Sequence, residues 1–411
     1  VVERVIVGAL EYRGIVKNFS PNAKKYLTYT ALTSISFSVF HLIFNLYIYS
    51  LGYQQDFIGL LNGLPSIVIL AIGLPVGMAA DRYGYKTFLV TGSVLSTLAV
   101  LALAFFEASP GLIGASLALG VAGALTWVIG APMMAANSND KERVYLFSVN
   151  FALMMGAGFV GSMIGGMLPE YLAVLWGSEA TATGPLRGAF LTVAFFNALA
   201  IFPALRMTNV KPVMKKRRLP LPQGKEEWAL FSKLLLPSMF VSFGAGAMVT
   251  FFQLFFNLRF ELSTGSIGYL FAFSSIVTAI ATLASPLLAK RFGKVRTVFY
   301  TELASIPFLL ILAYSYNLGV VIVAYYMRSA LMNMSGPVQM TFSMEQVNED
   351  QRATLTSLNA MLGSLGRGGL GPLVSGYVQV RYGFSEAFTL TTICYLIGAF
   401  LFYYFFRHIK D

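Results

Sequence analysis

The sequence predicts an all-α integral membrane protein: twelve transmembrane helices in two pseudo-symmetric six-helix bundles, both termini cytosolic. Three observations carry this reading. The 411 residues are 56% hydrophobic and only 11% charged, with a mean hydropathy of +0.69, against roughly 25% charged in a soluble chain. Residues 58–84 match residues 267–293 at a constant offset of 209, with ten of 27 columns identical, including Gly59/Gly268, Ser66/Ser275, Arg82/Arg291 and Gly84/Gly293. The basic residues fall almost wholly on one side of the successive spans.

Residues 1–24 are charged and lack the apolar run of a cleavable signal. Val2, Val5, Ile6, Ala9, Tyr12 and Val16 recur at helical spacing, which reads as an interfacial amphipathic helix; a disordered tail is the alternative. The first bundle, 25–206, holds spans at 25–52, 56–80, 87–106, 110–134, 144–168 and 185–206. Residues 207–229 carry three prolines and the cluster Lys215–Arg218; they read as a cytosolic linker, solvated or touching anionic headgroups. The second bundle, 230–407, holds spans at 230–259, 266–289, 296–315, 318–342, 353–379 and 385–407, before a tail at 408–411. Apolar runs of about 20 residues are long enough to cross a bilayer. None alternates apolar with polar, as barrel strands would. Six spans return the chain to the side it left, so the halves share an orientation and relate by an axis along the membrane normal. The segment 169–186, with Trp176 and Gly184-Pro185, is longer than its counterpart 380–384; it reads as a loop over the outer mouth.

A net charge of +11 would suggest nucleic acid in a soluble protein. With the N-terminus in the cytosol, 24 of the 29 Lys and Arg lie on the cytosolic side and three, Arg187, Arg259 and Arg381, on the other. Arg328 and Arg367 lie inside spans. This is the positive-inside pattern, and it argues for a cell membrane rather than nucleic acid. The single Cys394 rules out a disulfide framework. No phosphate-binding loop of an ATP motor is present, and two histidines, His41 and His408, support neither a metal cluster nor a catalytic triad. The expectation is a non-enzyme without cofactor.

The loop after the second span reads Gly77-Met-Ala-Ala-Asp81-Arg82-Tyr-Gly84-Tyr-Lys86, and a degenerate copy, Ala289-Lys290-Arg291-Phe-Gly293-Lys294, follows the eighth. This resembles the signature loop of the major facilitator superfamily, G-x-x-x-D-R-x-G followed by basic residues, and the resemblance covers the whole chain. It implies a secondary transporter that works by alternating access. It also implies a gating set, Gly77, Asp81, Arg82, Gly84, Lys86, Arg291 and Gly293, in which Asp81 latches the start of the eleventh span near Arg352. A carboxylate is favoured near a helix N-terminus. Lys290 stands where the second acid should be, so the latch is one-sided.

Polar stripes mark the expected pathway. Ser34, Ser38, His41 and Asn45 share one face of the first span, and Ser238, Ser242, Gly246, Thr250, Gln253 and Asn257 one face of the seventh. A polar face is costly in lipid, so it points inward, to a cavity or to a neighbouring helix. The candidate substrate-binding residues are His41, Asn45, Trp127, Gln253, Asn257, Arg328 and Arg367. Each arginine lies about 3 Å from mid-span at 1.5 Å per residue, where it costs several kcal/mol unless paired or wet. The alternatives are pairing of Arg328 with Glu302 and bonding of Arg367 to nearby helix carbonyls. Small residues recur at four-residue spacing, at Gly158, Ser162 and Gly166 and at Ser364, Gly368, Pro372 and Gly376, which suits close helix packing. Gly161-Ser162-Met-Ile-Gly165-Gly166 resembles the G-P-x-x-G-G of family exporters, with serine for proline.

The functional expectation is efflux of a small amphipathic molecule by a monomer in contact with membrane lipids. Protons would drive it, with His41 and Glu302 as coupling candidates. The fourth span carries no charge, unlike family proton-driven exporters. The alternatives are a uniporter or symporter for an organic anion held by Arg328, and a lipid flippase, scramblase or non-transporting sensor.

Overall fold

A computed structural model describes residues 16, 18–209, 222 and 224–409. The amphipathic stretch expected over residues 2–16, Val16 apart, and the Lys215–Arg218 cluster lie outside these. Among the described residues all regular structure is helical. The elements are α1 (Pro21–Ser50), α2 (Gln55–Tyr83), α3 (Tyr85–Phe105), α4 (Ser109–Ala136), α5 (Asp140–Trp176), α6 (Thr183–Leu205), α7a (Gly224–Val249), α7b (Phe252–Phe260), α8 (Thr264–Phe292), α9 (Lys294–Tyr314), α10 (Leu318–Glu345), α11a (Arg352–Ser364), a π-helix (Leu365–Leu370), α11b (Gly371–Tyr382) and α12 (Phe384–Phe406).

Ten of the spans, α7a and α7b counted together, are long and apolar enough to cross a membrane. Of the other two, α10 carries Arg328, and the eleventh is divided into segments of 13, 6 and 12 residues. In lipid every backbone polar group needs an internal partner, which helices supply within the segment. Large apolar side chains therefore face outward: the repeat-related Leu74 and Leu283 are 62% and 80% exposed, as a lipid-facing surface requires.

The turns follow local chemistry. Asn139, Ser263 and Asn317 accept bonds from the backbone amides of Glu142, Ser266 and Val320, capping α5, α8 and α10. Gly84 and Gly293 start α3 and α9 at φ 94° and 84°, a region that disfavours any side chain with a Cβ. Arg82 lies over the Tyr83 ring and Arg291 over the Phe292 ring, at 5.5 and 5.3 Å. The duplicated loop thus keeps one geometry in both copies.

Four elements differ from the sequence expectation. The linker expected over 207–229 is shorter, because α7a starts at Gly224. The loop expected over 169–186 is mostly helix. α5 continues through Pro169 to Trp176 and stops at Gly177, which takes a left-handed cap (φ 62°) while Ser178 N bonds Ala173 O at 3.0 Å. The seventh and eleventh spans are each interrupted, for reasons given below.

The described residues fall into two compact units, within Val1–Phe44 plus Val68–Lys215 and within Asn45–Ile67 plus Lys216–Asp411. In the first, α3 packs on α4 and α6; in the second, the repeat-related α9 packs on α10 and α12. Each unit has a core of its own, one around Tyr26, Tyr29, Leu89 and Met133, the other around Phe231, Val298, Phe342 and Phe402.

Candidate functional site

The second unit builds its site around a buried arginine. Arg328, on α10, is only 4% exposed. It donates to Tyr395 Oη of α12. Its guanidinium carbon lies 5.7 Å from the centre of the Phe252 ring of α7b and 5.6 Å from that of Tyr395. Arg328 Nε is buried without a hydrogen-bond partner. Among the described residues no carboxylate pairs with it. Glu302, on α9, is buried too, but it accepts from Ser335 Oγ at 3.4 Å. An arginine keeps its charge at any working pH, so the site holds a positive charge balanced by aromatic faces and one phenol.

Arg367 sits on the π-helix. Its side chain is accessible and forms no hydrogen bond or ion pair among the described residues. The sequence explains the helix type locally. Pro372 has no amide to give to the carbonyl of Gly368, and glycines at 366, 368, 369 and 371 permit a wider turn. Gly371 N instead bonds Gly366 O, five residues back. The π turn rests on α7a, where a Cβ at Gly246 would come within 2.5 Å of Arg367 O and 2.7 Å of Gly366 O. Short π segments recur at functional sites.

The interruption of the seventh span has a related cause. Thr250 O accepts Asn45 Nδ2 at 2.6 Å and Gln253 Nε2 at 3.0 Å. Two side-chain amides thus serve the Thr250 carbonyl, where the chain turns between Val249 and Phe252. Asn62 Nδ2 donates to Asn45 Oδ1 at 2.8 Å. Asn257 Nδ2 bonds Leu262 O at 3.0 Å. Asn45, Gln253 and Asn257 thereby serve backbone turns in the second unit.

In the first unit, His41, Phe37 and Trp127 form an exposed aromatic group. The Phe37 ring centre is 4.8 Å from that of His41 and 5.5 Å from that of Trp127, and Trp127 is 66% exposed. Ser38, on the same stripe, turns to α5, where it bonds Gly158 O at 2.7 Å and meets Ser162 Oγ at 2.9 Å. A Cβ at Gly161 would come within 2.6 Å of Ile35 O. Gly161, Ser162 and Gly165 of α5 thus lie in close helix contact, whereas a Cβ at Gly158 would meet nothing within 4 Å.

In the signature loop, Asp81 accepts from Tyr85 Oη at 2.9 Å. Asn209 bonds Tyr83 O at 3.1 Å and receives Lys86 N at 3.3 Å. Gly77 packs near Val128. Lys294, the counterpart of Tyr85, pairs with Glu345 at 2.5 Å. Arg352 bonds Met344 O at 3.0 Å and meets Glu349 at 3.5 Å.

The structure therefore sets both His41 and Trp127 against Phe37 and Tyr395 beside Arg328, while Glu302 stands apart from that arginine. Sequence reasoning missed Phe37, Phe252 and Tyr395. Aromatic residues in spans are usually packing or interfacial belt, and nothing in the sequence alone separates these three from that background.

Two sets of repeat-related helical spans and a duplicated signature loop define a membrane protein built from two related halves. A model of the Major Facilitator Superfamily matches residues 27–369, and the chain belongs to that family, as a multi-pass protein of the cell membrane. It is 29% identical over 183 residues to the multidrug resistance protein MdtH of Yersinia pestis, covering 44% of this chain and 43% of that protein. It is 31% identical over 124 residues to the methyl viologen resistance protein SmvA of Salmonella typhimurium, covering 29% and 24%. The chain thus spans less than half the length of either relative. A bacterial homologue of the human lysosomal transporter Spinster has the same fold, with a TM-score of 0.77 at 17% identity over 93% of this chain and 96% of that one.

Proposed function

We propose that this transporter moves a small amphipathic molecule bearing an anionic group, outward across the membrane, by alternating access. The observation that carries the substrate class is Arg328: a buried, permanently charged guanidinium with a free Nε, walled by Phe252 and Tyr395. Leaving such a charge uncompensated within a span is costly, and a substrate carboxylate or phosphate would lower that cost while its apolar part meets the aromatic walls. Export is favoured by the names of the partial relatives, both resistance proteins.

A second reading, proton-coupled efflux of uncharged or cationic compounds, rests on the exposed His41 beside Phe37 and Trp127. Proteoliposome uptake separates the two. The test compares benzoate with the lipophilic cation tetraphenylphosphonium, each with and without an imposed pH gradient. The first reading expects benzoate to move, and Arg328→Gln to lower its rate by about tenfold or more. Movement of the cation alone, dependent on the gradient and lost in His41→Ala, contradicts it.

A further inference from the structure

Arg328 is closed over in this structure, and its hydrogen-bond partner is a phenol. Arg328 is 4% exposed and Tyr395 1%. Arg328 Nη2 donates to Tyr395 Oη, and the guanidinium carbon lies 5.6 Å from the centre of the Tyr395 ring. Among the described residues no carboxylate pairs with Arg328, and this phenol oxygen is the one hydrogen-bond acceptor the chain gives it. The contact is supported from behind. Thr391 Oγ1, one turn earlier on α12, bonds Gly244 O of α7a at 2.9 Å. A Cβ at Gly244 would come within 2.9 Å of Cys394 Cβ and 3.1 Å of the Tyr395 ring. The glycine therefore lets α12 approach until the ring is seated. Arg367, the other guanidinium inside a span, has an accessible side chain instead.

A carrier that holds an anion on a buried arginine meets a difficulty only when it is empty. With the anion bound, the charge is compensated. Without it, a bare guanidinium stays inside the span, which is costly. We infer that the Tyr395 phenol stands in for the substrate anion at Arg328 in the empty carrier, and so lets the carrier return without cargo. This rests on the anionic-substrate reading above and deepens it: the anion moves in net fashion rather than by obligatory exchange for another. A phenol suits the task. Its oxygen accepts from the guanidinium as a carboxylate oxygen does, but it carries no full charge. A bond between two ions is the stronger, so an arriving carboxylate draws the guanidinium away from the ring. The seat on Gly244 keeps the phenol in place for the return. Tyr395 is thus a positioning residue for Arg328 in the empty state and an internal competitor of the substrate.

The test is release of labelled benzoate from proteoliposomes of the purified full chain, with the membrane potential clamped at zero and protein-free liposomes as background. It is read in two modes. Net efflux into benzoate-free buffer needs the empty carrier to return over many turnovers. Exchange against unlabelled benzoate outside does not. Calorimetric titration supplies the affinity. The wild type should show both modes. Tyr395→Phe keeps the ring and removes only the oxygen. Its net efflux should fall at least about tenfold while exchange persists. It should also bind benzoate at least about fivefold more tightly, because no internal acceptor competes. A damaged fold does not produce a gain in affinity with a loss confined to one mode. Three results overturn the stand-in and leave the anionic reading intact: a wild type that moves benzoate only by exchange, a variant in which both modes fall together, or one unchanged in flux and affinity. The first is read without any variant, so it holds even if Tyr395→Phe fails to fold. If benzoate neither binds nor moves in the wild type, the anionic reading falls and the stand-in falls with it.

Discussion

At Gly84 two demands meet in one residue. Its φ of 94° lies where a Cβ is strained, and a Cβ built there would run into the Asn209 side chain, which itself bonds Tyr83 O. Gly84→Ala should therefore destabilise the protein by more than about 1 kcal/mol, read as a lower thermal unfolding midpoint in detergent; an unchanged midpoint would mean that Asn209 yields freely. Asp81 lies three residues before it and receives the Tyr85 phenol. If Asp81 also serves as the cytosolic latch that the family signature implies, Asp81→Asn slows turnover about fivefold or more while substrate binding persists. A variant that transports at the wild-type rate would restrict Asp81 to its local bond with Tyr85. The sequence singled out Arg328 and Arg367 as charges inside apolar spans. The aromatic neighbours of Arg328, Phe252 and Tyr395, were not legible, because a ring in a span is ordinary until its contacts are known.

At the scale of elements, helix existence followed from apolar length, and the starts at Gly84, Gly293 and Asn317 from local backbone chemistry. The interruption of the seventh span was hidden, because it depends on a residue about 200 positions away: Asn45 reaches across to Thr250 O. Asn45→Ala leaves that carbonyl with Gln253 as its side-chain donor and removes an acceptor from Asn62. The expected cost is about 1–2 kcal/mol, seen as a lower unfolding midpoint. A neutral effect would show that the amide network is incidental to the break. The π turn in the eleventh span was half legible, since its glycines and Pro372 were evident as small-residue spacing. The seat of that turn on α7a was hidden, because Gly246 lies far from it along the chain. Gly246→Leu should displace the π turn and lower the unfolding midpoint, because even a Cβ there meets the backbone of Gly366 and Arg367; an unchanged midpoint would mean that the turn yields freely.

For the whole molecule, the duplication is the deepest regularity. It sets equivalent loops, Arg82 over Tyr83 and Arg291 over Phe292, and equivalent packing of α3 on α6 and of α9 on α12. The repeats part at a few charged positions. The position of Asp81 is filled by Lys290 in the second copy, and Arg328 and Arg367 stand only in the second half. A fold built from two related bundles suits alternating access, in which one site is reached from either side in turn. A sensor or a channel of the same fold would lack that alternation. Counterflow tests it most directly. Proteoliposomes loaded with unlabelled benzoate and diluted into a trace of labelled benzoate should show a transient internal overshoot of label, present in the wild type and lost in Arg328→Gln. Monotonic equilibration without overshoot, or an overshoot that Arg328→Gln leaves intact, would contradict an alternating-access carrier that holds its anionic substrate at Arg328.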